Sequence, residues 1–198
     1  MSLLSLPRMF VSEKEGWEDV VRTHPSVTSM LAFVVVPMSL IPPLMYAYAE
    51  LVQPGDVFPL LAPALSVREL LFVGTAFFLV ELFTVSIVAA YVRELSAAVG
   101  ANPSYAEAYT LAAIAPIPLW LSSLGLFVPS MWFNMVVVAL AWVASVALIR
   151  HGVRPLFKLD NADKAGRLTT TITLTGVAAW IGLMMVLTLL LSLSLGLR

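Results

Sequence analysis

One acidic residue, Glu81, stands in the middle of an otherwise apolar run, Phe77-Phe78-Leu79-Val80-Glu81-Leu82-Phe83-Thr84. A carboxyl group can carry a proton, accept hydrogen bonds or hold a cation. At the centre of a bilayer an acidic side chain costs at least about 2.5 kcal/mol on insertion scales, so Glu81 is expected to face a bundle interior and to be protonated or paired. No lysine or arginine falls at a matching depth. Prolines supply possible acceptors, because each frees the carbonyl four residues earlier. Pro37, Pro42 and Pro43 free those of Phe33, Met38 and Ser39, and Pro116 and Pro118 free those of Ala112 and Ile114. Counted from the ends of their apolar runs, Glu81, Pro42, Pro116 and Pro118 share the midplane and form the expected polar site. The structural reading is that neighbours, Glu81 among them, satisfy the freed carbonyls. The functional reading is a cavity for a proton, ion or small solute, lined by broken helices and an intramembrane acid. A contact with another subunit is the third.

Other residue types offer less. His24 and His151 both fall at one membrane edge, where a bis-His haem or metal site can be imagined, but interfacial histidines more commonly meet headgroups. Ser86, Ser122 and Ser123 have no histidine at their depth to act as a base, which argues against an intramembrane hydrolase. The chain has no cysteine, which removes disulfides, thiolate nucleophiles and iron–sulfur ligation. Nine methionines show no soft-metal arrangement. Thr169, Thr170, Thr171, Thr173 and Thr175 are expected to cap a helix or bond back onto it. No catalytic residue, metal or cofactor is expected, and the chain is expected not to be an enzyme.

The elements that must position these residues are plain. Five apolar runs, Thr28 to Ala49, Arg68 to Tyr91, Tyr105 to Leu124, Met131 to Arg150 and Thr170 to Leu195, are each about as long as the roughly 20 residues that cross a bilayer. Composition agrees: 60% of residues are hydrophobic and 12% charged, where soluble domains carry about a quarter charged. The fold expected is an all-α, five-helix polytopic membrane bundle, with residues 1–27 as a cytoplasmic arm and 28–198 as one transmembrane domain. The near balance of 11 basic and 12 acidic residues speaks against nucleic-acid binding. The first run begins late and is as long as the others, so no cleaved signal peptide is expected.

Orientation follows from the cations. Nine lysines and arginines lie in the amino-terminal arm and in the loops after runs two and four, against Arg68 and Arg198 on the other side. This places the amino terminus inside and the carboxyl terminus outside. In the arm, Glu13 to Thr23 reads as a short interfacial helix ended by Pro25, with Trp17 at headgroup depth. The outer segment Glu50 to Val67, rich in proline and apolar residues, is expected to fold back onto the membrane face. In the inner loop, Gly152 and Pro155 are expected to stop the fourth helix, and Asp160, Asn161 or Thr169 to cap the fifth. Arg150, Arg154, Lys158, Lys164 and Arg167 would meet anionic headgroups or, in the minority reading, a cytoplasmic partner. The Lys-Ser or Lys-Thr of a phosphate-binding loop is absent. Ala141 with Ser145, and Ser192 with Gly196, have the spacing of close helix packing. Trp120, Trp132 and Trp142, with Tyr46, Tyr48, Tyr91, Tyr105 and Tyr109, read as aromatic belts.

Three segments carry a family resemblance: the Trp17 helix; Asn102-Pro-Ser-Tyr-Ala-Glu-Ala-Tyr109 leading to Ala115-Pro-Ile-Pro118; and Arg154-Pro-Leu-Phe-Lys-Leu159 with Lys164-Ala-Gly166. Through them the chain resembles the Yip-domain (Ypt-interacting-protein) family, in its small bacterial inner-membrane form. The resemblance implies a five-helix bundle with a cytosolic amino terminus. Eukaryotic relatives are linked to vesicle traffic and to binding small GTPases. With an arm of only residues 1–27 that activity is not carried over, and the family offers no catalytic residues to transfer. The expected role is a non-catalytic interaction, accessory or membrane-organising subunit of the cell inner membrane. Its expected partners are membrane lipids and another membrane protein or a second copy of itself. The alternative is a small carrier or channel using the pocket around Glu81.

Overall fold

The computed structural model describes Met9, residues 16–55 and residues 65–196. All regular structure among them is helical, and five helices are long and apolar enough to cross a membrane: Val27–Val52, Val67–Ala98, Tyr105–Phe127, Met131–Phe157 and Ala162–Ser194. These are spans one to five. Each contains the run expected from sequence or most of it, and each extends further at one or both ends. Residues 13–15 of the expected interfacial helix, most of the outer segment with Asp56, Pro59 and Pro63, and the cations Arg8, Lys14 and Arg198 lie outside the described residues.

The helix starts are chemically determined. Spans two and three open on Ser-x-x-Glu capping boxes. The backbone N–H of Ser66 donates to Glu69 at 2.7 Å and that of Ser104 to Glu107 at 2.7 Å, and each serine Oγ accepts from the glutamate N–H in return. Span four starts on Ser130, whose Oγ accepts from Phe133 N. Of the three candidates for span five, Asn161 is the cap: its Oδ1 accepts from the backbone N–H groups of Asp163 and Lys164 at 2.9 and 3.1 Å. The helix therefore begins at Ala162, eight residues before Thr170. Thr170, Thr171 and Thr175 bond back to carbonyls four residues earlier, as expected.

Span four corrects the expected stop. It runs through both Gly152 and Pro155 to Phe157, and Lys158 closes it in the left-handed conformation (φ 53°). Pro155 lies in the last turn, where losing one N–H costs the helix little. Gly152 has a different purpose. The amino-terminal helix Trp17–Thr23 lays its indole against that glycine, and a Cβ there would fall 2.5 Å from Trp17 Cη2. Trp17 is fully buried and its Nε1 donates to Met9 O at 3.2 Å. The short helix exists and ends before Pro25, but its tryptophan packs into protein and does not sit among headgroups.

Span one is the least regular. After Ser26 caps it, residues Leu31–Val35 form a π-helical turn, α-helix resumes at Val36–Ser39, and the chain breaks at Leu40 before continuing as Ile41–Val52. Pro37 and the pair Pro42–Pro43 lack the N–H groups that a continuous helix would use, so the ladder is rebuilt around them.

Span two packs against spans one, three and five, and span four against spans three and five. Span three is the centre of the bundle, with half of its apolar window buried; that of span five has none buried, so span five is peripheral. The main core gathers at the end that holds the amino-terminal helix, where Trp17, Val20 and Met30 meet Val92, Ala108, Leu148 and Leu168. A smaller cluster of Leu65, Leu70, Val73 and Leu191 closes the opposite end. Between the two clusters the packing opens.

Candidate functional site: a chamber around Glu81

Span two buries one stripe: Leu70, Val73, Phe77, Glu81, Val85, Ala89, Val92 and Ser96. The intervals of three and four residues keep one helix face toward the bundle, and Glu81 occupies a position on that face. It is only 5% exposed. Trp120 Nε1 donates to Glu81 Oε1 at 3.1 Å. The expected acceptors, the proline-freed carbonyls, are not its partners; the partner is an indole N–H.

The prolines act through shape. In span three, helix Tyr105–Ile114 is interrupted at Ala115–Pro116 and restarts as Ile117–Ser122, which carries Trp120, before a 3₁₀ turn over Ser123–Phe127. A Pro-x-Pro placed in the first turn of the new segment breaks the ladder and re-aims the rest of the helix. The result brings Trp120 against span two. In span one, Pro43 lies close to span two, its Cβ 3.5 Å from where a Cβ on Gly74 would stand.

Glu81, Pro42 and Pro116 line one cavity of about 700 Å³, to which all five spans contribute. Pro118 is buried beside it without joining the wall, and Pro37 faces outward. The wall is apolar over most of its area and includes Tyr46, Phe77, Trp142 and Trp180, the two indoles meeting edge to face at 5.6 Å. Met131 and Met135 of span four also line it and are 49% and 52% exposed, so the chamber communicates with the outside there. Three residues of this wall, Glu81, Ser145 and Thr173, each hold a buried side-chain oxygen (Oε2, Oγ and Oγ1) with no hydrogen-bond partner among the described residues. No lysine, arginine or histidine lines it.

Several residues read as belts or packing motifs belong to this site. Trp120 and Trp142 are wall residues, and Tyr109 is buried in the core; Trp132 and Tyr91 are exposed as anchors would be. Ser145 is buried and faces the chamber, Ala141 is buried, and Ser192 and Gly196 face outward. Sequence reasoning missed Glu50, a second buried acid at the far end of span one, which accepts from the Tyr46 hydroxyl and from the backbone N–H of Leu65. It ties the end of span one to the start of span two.

Of the cationic residues singled out in the loop, Arg150, Lys158, Lys164 and Arg167 are exposed, while Arg154 is half-buried. Lys164 Nζ lies over the tight turn at Gly100 (φ 80°), 3.6 Å from where a Cβ would project, so the loop rests beside the connection between spans two and three. His24 is exposed and His151 is half-buried in the last turns of span four. Among the described residues no group of three His, Asp or Glu side chains comes together as a metal site would need.

Comparison with curated proteins and with solved structures gives no match to this chain. The Yip1 domain family model matches residues 8–183, which takes in the amino-terminal helix, all of spans one to four, and most of span five. With a match over most of its length, the chain belongs to the Yip1 family.

Proposed function

We propose that this chain is a non-catalytic, multi-pass protein of a bacterial-type inner membrane that organises its membrane by taking an apolar molecule out of the bilayer into the chamber around Glu81. The observation that carries the proposal is the chamber itself. A cavity of about 700 Å³ lies well within the 300–1,000 Å³ typical of ligand sites. It opens to the outside at Met131 and Met135, so a molecule of the bilayer can enter it. Gly176 lines the chamber and faces open space where a side chain would go. Gly176→Leu would therefore project a side chain into it, with its Cβ unobstructed. Native mass spectrometry from mild detergent should find a small molecule bound to the wild-type protein and bound less by Gly176→Leu; equal spectra from the two refute the proposal.

The orientation that goes with this reading puts the amino terminus and the loop from Arg150 to Arg167 in the cytoplasm and the carboxyl terminus outside, supported by the cation asymmetry. Because the chain lacks cysteine, a single Lys164→Cys variant tests it: a membrane-impermeant thiol reagent should label that site only after the membrane is opened.

A second reading, an accessory subunit in a larger membrane assembly, draws on the periphery of span five, whose apolar window has none of its residues buried within the chain. Photo-crosslinkers at Leu174, Ile181 and Met185, all exposed on that helix, would then trap one stoichiometric protein. Lipid adducts alone would refute it.

A further inference from the structure

Spans four and five meet at two levels. Where they are joined, Leu148 and Ile149 of one share the main core with Leu168 and Ile172 of the other. Nearer the middle, Trp142 and Trp180 meet edge to face at 5.6 Å. Beyond that pair, toward the carboxyl-terminal side, each helix turns to a different neighbour. Span five packs through Leu187, Leu190 and Leu191 with Tyr46, Leu70 and Val73 of spans one and two. Span four leans on span three, where a Cβ on Gly125 would stand 2.7 Å from Asn134 Oδ1 and 3.5 Å from Val137 Cγ1. With about 3.6 residues per turn, Met135 and Ala139 lie on the flank of span four away from Val137. Both are exposed and both line the chamber, as Met131 does. The three turns from Met131 to Trp142 rise about 16 Å, close to half of a hydrocarbon core about 30 Å thick.

The wall favours a chain over a headgroup. It follows span four from Met131 to Ile149, about 27 Å of helix, whereas packed helices stand about 8–10 Å apart, so the space is elongated along the bilayer normal as lipid chains are. Thr84, Ser122 and Asn134 spend their donors on backbone carbonyls, and Tyr46 spends its hydroxyl on Glu50. No cationic side chain lines the wall to receive a phosphate.

We infer that the seam between spans four and five opens to the leaflet on the carboxyl-terminal side, the outer one in the orientation proposed above, and admits one hydrocarbon chain of a glycerolipid whose headgroup stays at the surface. The chain lies along Met135, Ala139 and Trp142 on one side and Trp180, Leu183 and Leu187 on the other. This inference rests on the chamber being a ligand site.

The test is photolabelling of the full-length protein in liposomes. Phosphatidylcholine with a diazirine at the end of one acyl chain is exchanged into the exposed monolayer. After illumination, an impermeant biotin-maleimide tags the molecules whose Lys164→Cys faces the bulk, so the two insertion orientations are separated before digestion. Untagged molecules, whose carboxyl-terminal side meets the labelled monolayer, should carry at least fivefold more adducts on Trp142 and Trp180 than tagged ones. Leu140 and Val143, exposed at mid-depth on span four, should be labelled alike in both. Met135→Trp and Ala139→Leu, both at exposed positions, should lower the tryptophan adducts several-fold and leave Leu140 and Val143 unchanged; Gly176→Leu should lower them too. If the two orientations label the tryptophans equally, or if Gly176→Leu lowers labelling and the two seam variants do not, the lateral route is overturned while the chamber reading stands. Stronger labelling of the tryptophans by a diazirine sterol overturns the assignment to a lipid chain. If no probe labels them above Leu140 and Val143, both readings fall together.

Discussion

Replacing Gly152 with alanine should release the amino-terminal helix. The added Cβ would lie 2.5, 2.6 and 2.9 Å from Cη2, Cζ2 and Cζ3 of Trp17, all nearer than carbon atoms approach without strain. The three atoms belong to one rigid ring edge, so no small torsion relieves one contact without leaving the others. The ring's opposite side is held by the bond from Nε1 to Met9 O. Overfilling a packed site of this kind costs about 1–3 kcal/mol. Complete loss of the indole to water would cost about 5 kcal/mol, for roughly 200 Å² at about 25 cal/mol per Å². A freed Trp17 has a cheaper place to go, the headgroup layer, which favours indoles and keeps the cost in the lower range. A penalty of about 1–3 kcal/mol confined to this contact corresponds to roughly 5- to 150-fold faster amide exchange across Trp17–Thr23, with the centres of the spans unchanged. Hydrogen exchange read by mass spectrometry on peptides from that helix measures it. In a Trp17→Ala background the same glycine substitution should have almost no further effect, because the clash it creates is gone. Unchanged exchange in Gly152→Ala, or an equal increment in both backgrounds, would refute the packing account.

Three other outcomes rest on single contacts. Trp120→Phe removes the only partner that the described residues give Glu81 and should lower stability by about 1–3 kcal/mol; detergent thermal unfolding should show this loss largely absent in a Glu81→Leu background. Asn161→Ala removes the cap of span five and should cost about 1 kcal/mol, seen as faster exchange limited to the first turns after Ala162. Asn134→Leu removes two bonds, to Val128 O at 3.0 Å and Ser130 O at 2.9 Å, that brace the connection between spans three and four; proteolysis between Phe127 and Met131 should accelerate, and a protease-resistant loop there would count against this role.

The bundle was legible because a bilayer imposes one simple requirement on length and polarity, and all five apolar runs meet it. The capping serines fixed helix starts at or within one residue of those expected, and Asn161 carried the start of span five eight residues earlier. Glu81 was legible too, since its place in the Phe77, Glu81, Val85 stripe of span two already turns it inward. Its partner was not. Trp120 lies 39 residues away, and only the break at Ala115–Pro116 rotates it toward span two, a displacement that no spacing rule supplies. Gly152 misled for a related reason: a glycine near a helix end reads as a terminator, whereas here it clears space for a ring from another segment. The chamber wall is likewise a property of five helices at once.

The wide turn at Leu31–Val35 ties two distant features into one count of residues. A π-turn accommodates one residue more than the α-helix around it, and each residue in a helix rotates the chain by about 100° and advances it about 1.5 Å. Seen from the fixed breaks at Leu40 and Pro42, that extra residue sets the azimuth at which Ser26, Pro25 and then the amino-terminal helix leave the bundle. Taking it out would let span one wind as ordinary helix through this stretch, yet would swing the preceding segment by more than a quarter turn and carry Trp17 off the notch at Gly152. The spacing between Pro25 and Pro37 is therefore a ruler for the chain: an insertion or deletion of one residue between those two prolines should free the Trp17 helix from Gly152.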